Sequence, residues 1–178
     1  LTLHSLLNCL PIERLSRVNT VSVWWHLFGV VAVCVTLFAA TPQRNGAHVL
    51  FGALVNRTGF DSSVYVVAIG LLGAQYTLTG YDSSANMSEE TVDPARAGPR
   101  GMVAAIVASV LGGFLVLLSL SAALQDFDAT LATSTGQPVA QIFVDCLGRA
   151  GASALLCVVM VAMVHATALL SSAQFLSP

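Results

Sequence analysis

The sequence predicts an all-α integral membrane protein, and three of its features do so together. Of its 178 residues 56% are hydrophobic and only 9% are charged. The mean hydropathy of +0.80 lies outside the balance of a soluble domain. The charges gather in short stretches, which leaves four apolar runs of the roughly 20 residues that an α-helix needs to cross a bilayer.

In chain order, "LTLHSLLNCL" at residues 1–10 is too short to span and reads as the tail of an earlier span, ended by Pro11. Residues 21–40 are the first full span, 64–87 the second, 101–124 the third and 151–170 the fourth. The polar segment from Gln125 to Arg149 holds Pro138, which can open a helix, and Val139, Ile142, Phe143 and Leu147 recur at helical spacing. A short helix over 138–149 along the membrane surface is therefore expected. The whole is one partial membrane domain, with no internal repeat. The chain opens on Leu1 without a signal-peptide pattern and stops at Pro178 directly after an apolar helix. A segment of a longer protein is the expectation.

Charge narrows the partners. All seven basic residues are arginines and the net charge is −2, so the concentrated basic face that nucleic acid requires is missing. Alternating spans put Arg14, Arg17, Arg96 and Arg100 on one side and Arg44, Arg57 and Arg149 on the other. The positive-inside rule assigns the first set to the cytoplasm. Cys9, Cys34, Cys146 and Cys157 lack ligand spacing and read as small buried hydrophobes. His4 and His48 also lack partners at ligand spacing, so no metal or other cofactor is expected.

The second span carries the feature that points to function. "YTLTGYDSS" places Gly80 and Asp82 near the end of an apolar run. In hydrocarbon a broken helix is tolerated only where it is buried or lines a cavity, and glycine-interrupted spans point to transporter binding sites. Gly80 permits non-helical angles, Thr77 and Thr79 can re-satisfy freed carbonyls, and Asp82 or Ser83 can cap a new short helix. The first half-helix would aim carbonyls near Tyr76, Thr77 and Thr79 at the gap, where an ammonium group is favoured, with Tyr76 and Tyr81 as aromatic walls. The competing reading makes Gly80 a plain helix end and Asp82 a solvated acid at the membrane edge.

"GYDSSANMSEETVDPARAGPRGM", with "VNTVSVWWHLFGV" and "FGALVNRTGFDSS", resembles the amino acid permeases of the amino acid-polyamine-organocation superfamily. The branch it is most similar to is the GABA permease, choline and bidirectional amino acid transporter group. The resemblance runs from about Asn8 to about Ala168. It implies two inverted five-helix repeats with helices one and six broken at mid-membrane. On that plan residues 21–40 look like helix five, the run from Val64 like the broken helix six, 101–124 like helix seven and 151–170 like helix eight. It further implies alternating-access transport of an amino acid or related amine, GABA-like, across the cytoplasmic membrane, by proton coupling or exchange. Family members commonly carry His where Asn86 stands here, and "SSAQFLSP" replaces a basic segment usual after helix eight.

Two histidines are candidates for proton coupling. His26, in "SVWWHLFGVV", lies on the helix where some proton-coupled relatives carry a lysine in place of a coupling cation, and imidazole titrates near neutrality. Trp24, Trp25 and His26 also read as a headgroup-level belt. His165, in "VVMVAMVHATALLSS", is an ionisable residue within a span, near Thr167, Ser171 and Ser172; a hydrogen-bonded structural role competes. Glu89, Glu90, Asp93, Arg96 and Arg100 form a mixed-charge loop, either a gate or a solvated surface. An intramembrane protease would need two aspartates sharing a proton, and no second acid lies in another span. The remaining alternative is a membrane segment with a structural or interaction role that transports nothing.

Overall fold

The computed structural model describes residues 12–52, 54–76, 78, 80–86 and 91–175. The expected tail at 1–10 and the site candidates Thr77 and Thr79 fall outside these residues. Among the described residues every regular element is a helix: α1 Ile12–Ala40, α2 Ala47–Gly52, α3 Ser63–Tyr76, α4 Ser83–Asn86, α5 Pro94–Ala123, α6 Phe127–Leu131 and α7 Pro138–Phe175. Three stretches are long and apolar enough to cross a membrane, Ser16–Ala40, Pro94–Ala123 and Pro138–Ala166. The run over 64–87 is the exception, because it does not form one continuous helix.

Helix limits differ from the apolar runs because a helix satisfies its own backbone in water and lipid alike. α1 begins at Ile12, so Arg14 and Arg17 ride on its exposed first turns rather than in a loop. α5 begins at Pro94, a residue pre-set for the first helical position. The carbonyl of Asp93 accepts from the amides of Arg96 and Ala97 at 3.1 and 3.0 Å, so Arg96 and Arg100 are helical as well. α7 is two helices joined at Gly148, whose φ of 69° and ψ of 176° interrupt the helical path. The first, over 138–147, is amphipathic and buries Ile142 and Phe143.

α1 packs against α5 and α7. The core joins Val33 and Leu37 of α1, Ala123 of α5 and Ile142, Phe143, Ala152 and Leu155 of α7. It sits where α1 and α5 both end and where the second half of α7 begins, so α1 and α5 run parallel and that half of α7 returns antiparallel. Cys146 fastens this end: its Sγ lies 3.6 Å from Thr41 Oγ1 and 3.7 Å from the carbonyl of Ala123. Further along, Trp25 Nε1 donates to the carbonyl of Val158 at 3.1 Å, linking α1 to α7. Trp25→Phe keeps an aromatic ring, though a smaller one, and removes that donor. It is expected to cost about 0.5–1.5 kcal/mol, read as a small fall in the thermal midpoint of the detergent-solubilised chain.

Candidate functional site

α3 starts under a polar constraint. Ser62 accepts from the amide of Tyr65 through its hydroxyl at 3.4 Å and from the amide of Val66 through its carbonyl at 3.1 Å. The preceding residues, 54–62, are exposed. α3 then covers 14 residues, Ser63–Tyr76, about 21 Å at 1.5 Å per residue, against a hydrocarbon core about 30 Å thick.

Beyond Tyr76 the helical path is broken. The amide of Leu78 reaches back to the carbonyl of Gln75 at 3.1 Å. Gly80 then adopts a φ of 92°, in the region L side chains avoid. Its carbonyl is taken twice by Ser83, through the amide at 3.2 Å and the hydroxyl at 2.7 Å. Ser83 thus donates backwards across the turn instead of capping forwards, and the carbonyl of Asp82 accepts from Ala85 at 2.8 Å to begin α4. Tyr81 is 48% exposed and Asp82 is exposed too. The C-terminal end of α3, with its partial negative charge, precedes this turn. α4 itself packs against α5 and α7.

The histidines lie elsewhere. His26 is half-buried on α1, with Nδ1 2.7 Å from the carbonyl of Ser22 and 3.4 Å from its hydroxyl. Ser22 is itself only 1% exposed. Facing a carbonyl, which can only accept, Nδ1 carries a hydrogen and donates to the backbone. Among the described residues His26 is the one ionisable side chain lining a cleft of about 410 Å³ between α1, α5 and α7, whose walls include Val30, Leu120, Phe143, Val158 and Met163. Its neighbour Trp24 stacks on Phe28 with ring centroids 5.7 Å apart.

His165 bonds through Nδ1 to the carbonyl of Val161 at 2.9 Å. Both imidazoles thus tie to their own helix four residues back, and among the described residues neither reaches the break. Nor do three or more of the described His, Cys, Asp or Glu residues converge as a metal-binding group. The sequence holds no direct signal for the bond to the Ser22 carbonyl, although a serine four residues before a histidine on one helix face is a legible pattern.

Comparison with known proteins gives the site its context. The family model described as amino acid permease matches residues 1–176. The amino-acid permease BAT1 of Arabidopsis thaliana is 38% identical over 148 residues, covering 80% of this chain and 29% of the relative. Its homolog in Oryza sativa subsp. japonica is 34% identical over 145 residues, 79% of this chain and 28% of that protein. The GABA-specific permease of Saccharomyces cerevisiae is 28% identical over 153 residues, 83% of this chain and 27% of its own length. The chain thus spans under a third of the length of these three relatives. No solved structure matches. With the family model matched over nearly the whole chain and a relative at 38% identity, the chain belongs to the amino acid permeases.

Proposed function

We propose that this chain supplies the broken sixth helix and its neighbours to a secondary carrier that moves an amino acid or related amine, GABA-like, across the cytoplasmic membrane by alternating access. The observation that carries the reading is that α3 covers 14 residues, fewer than a span needs, and is followed by the positive φ of Gly80. A half-helix C-terminus in a low-dielectric setting attracts a cation. The substrate ammonium is assigned to carbonyls at Tyr76, Thr77 and Thr79, with Tyr81 as an aromatic wall and Asp82 at the mouth. Transport here forms and breaks no covalent bond.

The test is uptake of radiolabelled amino acids and GABA into proteoliposomes carrying the open reading frame that contains this chain, with and without a pH gradient. Saturable uptake above empty vesicles is expected. A correctly inserted protein that takes up none of them would sink the reading. It would favour the alternative of a non-transporting membrane segment.

His26 is proposed as the proton-coupling group, because among the described residues it is the one ionisable side chain that lines the cleft between α1, α5 and α7, and His165 as a second candidate. Imidazole changes charge between about pH 5 and pH 8. The expected result for His26→Ala is loss of the pH dependence of uptake across that window, with binding of substrate retained. An unchanged pH profile removes His26 from coupling and passes the question to His165→Ala.

A further inference from the structure

Asn56, Arg57 and Thr58 form an Asn-x-Thr triplet whose middle residue is not proline, the acceptor pattern for N-linked glycans. We propose that Asn56 is a glycosylation site. All three residues are exposed, in the loop between α2 and α3. Asn56 Oδ1 accepts from the amide of Thr58 at 3.0 Å and from its hydroxyl at 2.9 Å. Asn56 Nδ2 donates to the carbonyl of Phe60 at 2.6 Å, an exposed bond within the same loop. The acceptor amide and the hydroxyl two residues on are therefore already juxtaposed on an outward turn. The loop is held from behind: Arg57 pairs with Asp128 and its guanidinium lies 5.6 Å from the centroid of the Phe127 ring.

Sidedness separates this triplet from the chain's other one. Asn86-Met87-Ser88 follows the break, before Arg96 and Arg100, and so belongs to the end assigned to the cytoplasm. Asn56 belongs to the opposite end with Arg44 and Arg149, where α1 and α5 terminate. The inference rests on that part of the membrane reading and not on transport. In the reaction Asn56 Nδ2 attacks the anomeric carbon of a lipid-linked oligosaccharide. The carbon–oxygen bond to the lipid pyrophosphate breaks, the pyrophosphate leaves with the bonding electrons, and one amide proton passes to the transferase.

The experiment is translation of the chain in the presence of eukaryotic microsomes, followed by electrophoresis with and without a glycosidase that cleaves the Asn–sugar bond. One discrete mobility step is expected, removed by the glycosidase, by Asn56→Gln and by Thr58→Ala, and untouched by Asn86→Gln. A step that vanishes only with Asn86→Gln overturns the proposal by inverting the topology. No step at all also overturns it. Sidedness is then read separately, by labelling an Asp61→Cys variant with a membrane-impermeant maleimide against the unsubstituted chain. Labelling only after the microsomes are opened keeps the membrane orientation and rejects the modification alone.

Discussion

Gly80→Leu is expected to reduce uptake by at least tenfold while the protein is still made and inserted. Gly80 holds a φ of 92°, and placing an L side chain in such a region costs about 1–3 kcal/mol. A transition state raised by about 1.4 kcal/mol slows transport tenfold. The chain has a cheaper escape than bearing that strain. Leucine favours helix, so α3 can continue past Tyr76 and replace the opening with paired backbone. The carbonyl of Gly80 would then lose its two bonds from Ser83, and the negative end of α3 would move away from where the amine is proposed to sit. Gly80→Ala, with a smaller side chain, should retain more uptake than Gly80→Leu. Uptake and membrane-inserted amount must be measured on the same preparation. Wild-type uptake in Gly80→Leu would remove the broken helix from the mechanism.

Much of the architecture is legible in the composition. Charge-free apolar runs of spanning length have one low-energy state in a bilayer, which is why the all-helical membrane class can be read directly. Helix limits are less so. Arg14, Arg17, Arg96 and Arg100 mark where lipid ends, and the hydrogen bonds of α1 and α5 continue past them. At the candidate site, Gly80 announces the turn because few other residues tolerate its angles. The direction of the Ser83 bond is not legible, since a hydroxyl can bond forwards or backwards and only the path of the chain decides between them. The long-range contacts have no local signal. Asn45 sits in a polar loop like any other, and its partners are more than seventy residues away.

Asn45→Leu is expected to destabilise the fold by about 2–4 kcal/mol without altering the substrate site. The amide nitrogen of Asn45 donates at 2.9 Å to the carbonyl of Ser121 and at 2.7 Å to that of Leu124, and its backbone amide donates at 3.1 Å to Ala122. These are carbonyls at the end of α5, the groups a helix leaves without intrahelical donors. Ser121 and Leu124 are half-buried, so water replaces the lost donor only in part, and a buried acceptor left unpaired costs about 1–3 kcal/mol. Leucine has similar bulk and no donor, which isolates the hydrogen bonds from the volume. For a chain of this length the loss corresponds to a fall of about 5–10 °C in the thermal midpoint. Asn45→Asp should be worse, because it sets a carboxylate against the negative end of α5. Equal midpoints for Asn45→Leu and wild type would mean that Gln125, which donates to the carbonyls of Gln43 and Ala123 at 2.8 and 3.0 Å, closes this end of the bundle alone. A midpoint lowered with uptake per folded molecule unchanged would separate the scaffold from the break, since Asn45 holds α5 at the end where the core lies and Gly80 makes the turn beyond α3.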